Sequence, residues 1–506
     1  MTTVETLASW ATRLSVADVP PRVRERCAAQ RASVLAAVGA SLDDEATRRV
    51  ITAVSAWAGD GPAPLVGTSR RVGVEDALFA AAAASVALDF DDYLCFAHTG
   101  HSAVLVPLLL ACETASTADD QLVAQVIANE IEARLGGACL IGPQNGQLWS
   151  FVHAAGGALA AGRLLGLDEA RLAHALALSL YQPARATAPG FMAPDSKLLT
   201  AAEPAVAGVR AARLAASGVT GPLDALDDVH GFLSAFAYAP LRGMLAGGLG
   251  EAWATDTLCV KPHPGCAYLD TLLDALVELG PPPARDVASV TVDASLLTCQ
   301  MDAMSSAYAS GSQRAAPTPV TVTFSVPWNV AILLVAGELT PRQLRPTWLA
   351  EHHAELRDVA GRVSLRHDWA LTRDAAASFG RLLPPAALRR DAGVRALGRG
   401  LRSVRADHPS IVSGAGDLRG IAALVRPDAG TLALVRGAHF WDPRALDGFA
   451  MTFPARVSVR LRDGRTTTAE CDVPRGGAGH PTDTPESAAE RKLSAWPSPL
   501  GDVAVA

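Results

Sequence analysis

Several hallmarks of large protein classes are missing from this sequence of 506 residues. No apolar run reaches the ~18–20 residues that a membrane-spanning helix needs, so we predict no membrane partner. The net charge is −7 and no block of basic residues is present, so the chain offers no surface typical of nucleic-acid binding. The first ten residues lack a basic stretch followed by an apolar one, which predicts no signal peptide and a cytoplasmic location.

Familiar sequence motifs are missing too. The eight cysteines form no Cys-x-x-Cys pair, which favours free thiols in a reducing compartment over a zinc site or a disulfide framework. The chain has no Gly-x-x-x-x-Gly-Lys-Ser/Thr phosphate loop, no Gly-x-Ser-x-Gly elbow and no dinucleotide fingerprint after a strand. Lysine is scarce as well. The chemistry must therefore be sought in isolated polar segments.

The first half of the chain has helical periodicity. Ala-rich segments with apolar residues at helical spacing recur over 1–278, and Gly and Pro punctuate the gaps between them. In the segment 119–136, Glu130 and Arg134 are spaced as an i,i+4 ion pair on one helix. We therefore predict an all-helical domain over 1–278, without strands.

The second half has mixed periodicity, and a chain of this length exceeds one ordinary core. Residues 287–293 alternate with period 2, and 455–471 read as a hairpin with its turn at Asp463-Gly464. We predict a smaller α+β domain over 279–476.

Two parts of this half are less regular. An Arg-, Ala- and Gly-rich stretch at about 367–447 is expected to be a long irregular insertion. The tail 477–506 is expected to return to the helical domain. The predicted fold class is mainly α, with a large all-helical domain and a smaller α+β domain.

Ionisable residues are concentrated between two apolar stretches in the segment 86–107. Asp89, Asp91 and Asp92 are followed closely by His98 and His101. Charges so close to a core are costly unless they are paired or used, so this segment is the first candidate for chemistry. A histidine beside a carboxylate can act as a general base. Alternatively, the acids cap a helix or pair with arginine, or His98-x-x-His101 and an Asp hold a metal, although no third strong ligand is evident.

Three further residues are candidates. His153 begins a predicted helix, where a lone histidine is often only a satisfied core residue. Lys197 and Lys261 lie beside Pro- and Gly-containing loops, and two ammonium groups facing one cleft would bind a di- or tricarboxylate. Alternatively, both are solvated surface lysines.

These segments, in this order, resemble the MmgE/PrpD family, whose members include 2-methylcitrate dehydratase and cis-aconitate decarboxylase. The resemblance covers most of 1–366 and resumes near 450. The segments that carry it are Leu88-Asp-Phe-Asp-Asp, His101-Ser-Ala-Val-Leu-Val-Pro, Gly157-Ala-Leu-Ala-Ala-Gly-Arg-Leu-Leu-Gly-Leu-Asp, Lys261-Pro-x-Pro-x-Cys and Phe324-Ser-Val-Pro-Trp-Asn-Val-Ala.

The resemblance implies a helical domain, a smaller lid domain and an active site in the cleft between them. It also implies a homodimer without cofactor or metal that performs dehydration or decarboxylation on a small carboxylate substrate. Asp89, His101, Lys197 and Lys261 match the family's site residues, with His98 as an alternative to His101. In such a mechanism the lysines hold carboxylates, a histidine moves a proton beside a carboxylate, and the aspartate sets its tautomer.

The chain also departs from the family pattern. Tyr93 stands where the family often has Thr, Leu148 replaces the second family histidine with His153 nearby, and Trp328 replaces an aromatic hydroxyl. We therefore count Tyr93 and His153 among the catalytic candidates.

The remaining candidates are contacts to the substrate. Besides the two lysines, these are Asp92, Trp328 and Cys266. The departures suggest a larger or less charged substrate than that of the relatives. Alternatives to a lyase are an epimerase, isomerase or cyclase of a biosynthetic pathway, or a non-catalytic scaffold.

Overall fold

The structure is a computed structural model that describes residues 1–143, 150–192, 194–309, 317–407 and 439–500. The helices up to residue 278 are α1 (Thr3–Arg13), α2 (Pro21–Ser41), α3 (Glu45–Trp57), α4 (Val74–Val86), α5 (Gly100–Ala103), α6 (Leu105–Leu110), α7 (Ala118–Ala138), α8 (Phe151–Leu164), α9 (Glu169–Tyr181), α10 (Ala188–Met192), α11 (Leu199–Ala216), α12 (Phe232–Phe236), α13 (Gly243–Ala246) and α14 (Asp270–Glu278).

The later helices are α15 (Leu296–Ala309), α16 (Pro319–Val322), α17 (Val326–Ala336), α18 (Pro346–Glu351), α19 (His353–Ala360), α20 (Trp369–Leu382), α21 (Pro385–Asp391), α22 (Val394–Asp407), α23 (Pro443–Leu446) and α24 (Pro485–Ala495). The strands are β1 (Asp60–Pro64), β2 (Arg71–Val72), β3 (Asp92–Leu94), β4 (Leu258–Val260), β5 (Val287–Ala294), β6 (Val363–His367), β7 (Ala455–Leu461) and β8 (Thr466–Cys471).

The core of the helical region is built from α4, α7, α8 and α11. Helix α8 packs against both α7 and α11, and α11 also packs against α4. These helices are rich in alanine, and small side chains let helices approach closely. Gly208 of α11 shows this, since a Cβ on it would lie 2.6 Å from the carbonyl oxygen of Ala154 in α8. Helix α7 begins with a capping box, in which Thr117 and Asp120 satisfy each other's backbone N–H groups.

A sheet in the order β6-β5-β7-β8 forms the centre of the α+β region. Strands β5 and β6 are parallel, whereas β5–β7 and β7–β8 are antiparallel. The predicted strand at 287–293 is confirmed as β5, and the predicted hairpin is confirmed as β7 and β8. Its turn contains Gly464 at φ +90°, a conformation that glycine adopts without strain. Helix α14 precedes the predicted domain boundary at 278, yet it packs against β7 and β8.

The predicted fold class is confirmed as mainly α with a smaller α+β region. Two details were wrong. The first 278 residues contain two short strand pairs, a local pair β1–β2 between helices and a pair β3–β4 whose strands are distant in sequence. The stretch at 367–447 is not irregular where it is described, since α20, α21 and α22 follow one another there. Residues 408–438 of that stretch lie outside the described residues.

The C-terminal segment carries α24, which packs against α2 of the helical region. This contact brings the far end of the chain back to its beginning. Within the described ranges, no helix combines the length and the apolar character needed to cross a membrane.

Candidate active site

The candidate site is built on the turn that follows α4. Helix α4 is an alanine-rich, buried helix, and the chain reverses direction directly after it. Asp89 adopts φ +51°, which is the left-handed region that Asp tolerates better than most residues. This conformation costs free energy, and strained backbone of this kind is concentrated at functional sites. Strand β3 then begins at Asp92 and pairs with β4, which ends next to Lys261.

All three lysines of the chain converge on this turn. The sequence contains only Lys197, Lys261 and Lys492, and each of them is at most 4% exposed. A buried lysine is costly unless its ammonium group is paired. The remaining 41 of the 44 basic side chains are arginine, so lysine occurs only where the chain buries a positive charge.

The first ion pair joins Lys197 and Asp89. Lys197 lies on a 3₁₀ turn, Asp195–Leu198, and its Nζ donates to Asp89 Oδ2. The same Nζ is 4.4 Å from the ring centroid of Phe324 and 3.4 Å from Thr323 Oγ1. Burial favours the neutral carboxyl, but the two nearby lysines outweigh it and lower the pKa of Asp89.

The second ion pair joins Lys261 and Asp91. Lys261 Nζ donates to Asp91 Oδ1 at 2.5 Å and to the carbonyl oxygen of Asp89 at 3.1 Å. Burial alone would lower the pKa of Lys261, but the two aspartates raise it. Burial alone would likewise raise the pKa of Asp91, but Lys261 and the neighbouring histidines hold it well below its usual value. Both groups are therefore charged at neutral pH.

Asp91 is shared between two histidines. Its Oδ2 lies 2.6 Å from His98 Nδ1 and 3.1 Å from His101 Nε2. The expected pairing of Asp89 with His101 is therefore wrong, because the reversal of the chain at Asp89 turns that side chain toward Lys197 and leaves Asp91 facing the histidines. Sequence reasoning missed Asp91 as a site residue, although it lies between the two candidates that were chosen.

Both histidines contact Asp91, but through different ring nitrogens. His101 Nδ1 lies 2.7 Å from Ser85 Oγ, and that hydroxyl also donates to the carbonyl oxygen of Ala82 at 2.7 Å. Both ring nitrogens of His101 are thus held by protein groups. His98 is held by Asp91 through Nδ1, which directs the opposite ring edge, with Nε2, away from the carboxylate.

His153 enters the site from α8. Its Nδ1 lies 2.7 Å from Ser102 Oγ and 3.2 Å from Glu132 Oε2. Its ring centroid is 5.6 Å from that of His101. Burial raises the pKa of Glu132 well above its usual value. Ser102 and Glu132 were not predicted, although Ser102 directly follows His101 in a segment that carries the family resemblance.

Two cavities adjoin these groups. The polar cavity has a volume of about 20 Å³, room for about one water molecule. The side chains of both ion pairs and of all three histidines line it, together with apolar residues. The apolar cavity has a volume of about 410 Å³. The two cavities share the residues His98, Phe191 and Cys266.

Most of this constellation lies on segments that a family comparison covers, whereas Lys261 and Cys266 lie beyond the matched residues. Residues 5–241, which include α4, the aspartate turn, α8 and Lys197, match the MmgE/PrpD N-terminal domain. The chain belongs to the MmgE/PrpD family through this domain. The family includes dehydratases and decarboxylases. A comparison with curated proteins found no similar sequence.

The family's expected site residues are thus brought together in part. The structure places Asp89, His98, His101, His153, Lys197, Lys261 and Cys266 around the polar cavity. Burial raises the pKa of the Cys266 thiol to about 12, so Cys266 is a neutral wall of the site. The family position occupied by Leu148 lies outside the described residues.

Three candidates lie elsewhere in this MmgE/PrpD protein. Asp92 accepts a hydrogen bond from Gln30 at 2.8 Å beneath the site and does not line the polar cavity, because β3 directs it into the helical core. Tyr93 points the other way and lines the apolar cavity, where burial raises its pKa well above the usual value. Trp328 stacks on His353 at 6.1 Å and lines neither cavity.

The metal-site alternative finds no support in the geometry. His98 and His101 converge on Asp91 rather than on a shared point with further ligands. Among the residues that the structure describes, no group of three or more His, Cys, Asp or Glu side chains is arranged to hold a metal ion.

Lys492 donates hydrogen bonds to the turn that carries Asp89 and Asp91, and this contact gives a first testable prediction. Its Nζ donates to Ser33 Oγ at 2.8 Å and to the carbonyl oxygen of Phe90 at 2.7 Å. Burial lowers the pKa of Lys492 to about 7, although Asp91 and Asp92 oppose this shift. Between about pH 7 and the ordinary lysine pKa of 10.5, the unfolded chain therefore holds a proton that the folded protein has released.

Wild-type stability should accordingly rise with pH across this window relative to Lys492→Met, by roughly 1 kcal/mol per pH unit. Urea unfolding at pH 7, 8 and 9 measures this difference. Arg491→Met, on the same helix and half-exposed, is the control and should show no such trend. If the difference in free energy of unfolding between the wild type and Lys492→Met stays constant or decreases as the pH rises, the lowered pKa of Lys492 is contradicted.

Proposed function

We propose that this protein is a lyase that acts on a small carboxylate-bearing substrate by proton transfer at the carbon next to the carboxylate. The observation that carries the proposal is the polar cavity, where two buried lysines and an aspartate-held histidine pair face one another. Ammonium groups bind and polarise a carboxylate, and a histidine exchanges protons near neutral pH.

The lysines supply the binding part of this mechanism. Lys197 and Lys261 reach the cavity from two different segments of the chain, and each forms an ion pair with an aspartate. Because their positions are set before substrate arrives, little ordering is required on binding. A carboxylate in the cavity would accept hydrogen bonds from both Nζ groups, which stabilises negative charge that develops at the neighbouring carbon.

The proton is moved by His98 in this proposal, and His101 has a positioning role. Asp91 accepts the Nδ1–H of His98, which fixes the tautomer with the lone pair on Nε2. His98 lines both the polar and the apolar cavity, whereas His101 lines only the polar one and orients the shared carboxylate through Nε2. His153 lies on the same cavity and supplies the second proton-transfer group, which protonates the leaving hydroxyl in a dehydration.

Incubation in D₂O with a panel of 3-hydroxy and unsaturated carboxylates tests the proposal. Proton and carbon NMR should show loss of water or CO₂ from at least one member, with deuterium at the carbon next to the carboxylate in the remaining substrate, where proton abstraction has been reversed. Lys197→Met should weaken binding of that member about 10- to 100-fold, since a charge-assisted hydrogen bond is lost. Deuterium incorporation without loss of either molecule would instead identify an isomerase or epimerase. Turnover that is unchanged in Lys197→Met would refute the assigned site.

A further inference from the structure

The volumes of the two cavities limit where the substrate can lie. The polar cavity, at about 20 Å³, holds a reacting group but not a whole substrate molecule. The adjoining apolar cavity, at about 410 Å³, falls within the range of about 300–1,000 Å³ that is usual for small-molecule sites. Most of the substrate must therefore lie outside the polar cavity, and the larger cavity shares three wall residues with it.

The charges of the polar cavity indicate how many anionic groups the substrate carries. The ammonium groups of Lys197 and Lys261 are matched by the carboxylates of Asp89 and Asp91. The four groups together have no net charge, so every substrate carboxylate adds negative charge to a buried site, and the cost grows with each one. One carboxylate can share the two lysines, whereas a tricarboxylate finds no further lysine or arginine among the residues that line this cavity.

The wall of the apolar cavity is hydrophobic and partly adaptable. Phe379 and Phe453 pack at 5.6 Å between ring centroids, and Tyr268 meets Phe453 edge-on at 4.9 Å. Met301 and Met304 of α15 supply flexible thioethers that fit ligands of different shape. Such a wall gains free energy from burying hydrocarbon and gives nothing to a second charged group.

We infer that the substrate is a monocarboxylic acid with a large apolar chain or ring system that occupies the cavity bounded by Phe379, Phe453 and Met301. Its carboxyl end faces the lysines at the polar cavity, with the reacting carbon beside His98, which borders both cavities. This inference rests on the proposed function and names the substrate class that the site takes.

Calorimetric titration of the full chain with butanoate, hexanoate, octanoate and tricarballylate tests the inference. Each added methylene should lower the Kd about threefold to fourfold, so that octanoate binds about 100-fold more tightly than butanoate. Tricarballylate should bind more weakly than hexanoate. A Kd that does not change with chain length, or tightest binding of tricarballylate, overturns the inference.

Variants locate the effect in the cavity. Met301→Trp and Leu297→Trp fill the cavity from α15 and should raise the octanoate Kd at least tenfold while leaving the butanoate Kd within about twofold. Ala303→Trp is the control on the same helix, because Ala303 is exposed and does not line the cavity. Circular dichroism verifies that each variant folds. Leu297 is 40% exposed, so Leu297→Trp is the variant to compare with the wild type if Met301→Trp does not fold. An equal loss in Ala303→Trp overturns the assignment.

The two proposals fail in different ways. If tricarballylate binds in a Lys197-dependent manner and chain length has no effect, the proposed carboxylate site stands and this inference fails. If Lys197→Met binds every member of both series as well as the wild type does, the proposed site itself fails, and this inference with it.

Discussion

Replacement of Lys261 by methionine is expected to destabilise the protein by about 3–5 kcal/mol. Lys261 is fully buried, and its ammonium group is bonded to the carboxylate of Asp91 and to the carbonyl oxygen of Asp89. Methionine leaves Asp91 as a buried carboxylate without its principal cation. Urea unfolding at pH 7 measures the loss, which is a large fraction of the total stability of an ordinary domain.

Two further variants separate this effect from a general loss of charge. Arg22→Met breaks an exposed ion pair with Asp256 and should cost less than about 1 kcal/mol. The double variant Lys261→Met with Asp91→Asn should recover part of the loss, because the unpaired carboxylate is then removed as well. A Lys261→Met protein within 1 kcal/mol of wild type would show that the pair does not hold the turn.

Asp91→Asn is expected to reduce the turnover rate about 10²- to 10⁴-fold, the usual contribution of general acid–base catalysis. Asp91 Oδ2 accepts from both His98 and His101, whereas Oδ1 accepts from Lys261. An asparagine NH₂ at the Oδ2 position donates toward both rings instead of accepting, and at the Oδ1 position it faces the Lys261 ammonium group. Either orientation disturbs the hydrogen bonds that hold the histidines. The rate constant should fall much more than the affinity, because the lysines that bind the carboxylate remain.

Asp92→Asn is the matched control for this prediction. Asp92 is adjacent in the chain and equally buried, but it lies in the network with Gln30 below the site. Burial raises the pKa of Asp92, and the asparagine amide keeps an oxygen that can accept the hydrogen bond from Gln30. We expect less than a tenfold effect on turnover. Equal losses in both variants would mean that the aspartates act only by supporting the fold.

Most of the fold could be predicted from local sequence signals. Helical periodicity, with Gly and Pro in the gaps, indicated that most of the first 278 residues are helical, and the Asp463-Gly464 turn placed the hairpin. The short pair β3–β4 was not predictable, because its strands are three residues long and lie about 160 residues apart. The helices α20 to α22 were missed because Arg- and Gly-rich composition obscured their periodicity.

The site was predictable as a set of segments but not as a set of contacts. Asp89 was chosen because charges near apolar stretches are costly, and Lys197 and Lys261 were chosen because scarce lysines lie beside Pro- and Gly-containing loops. All three line the polar cavity. The partner of each charge depends on the turn at Asp89, whose positive φ leaves no mark in the sequence. One available signal was overlooked: the third and last lysine, Lys492, also ends in this cluster.

The central claim is that Asp91-held His98 moves a proton beside a substrate carboxylate, and deuterium exchange at that carbon tests it most directly. For a carboxylate that the wild type processes in D₂O, His98→Gln should reduce the exchange rate at least 100-fold, with binding of the carboxylate retained within about tenfold. His101→Gln should show a smaller loss. Exchange that continues at the wild-type rate in His98→Gln would contradict the account.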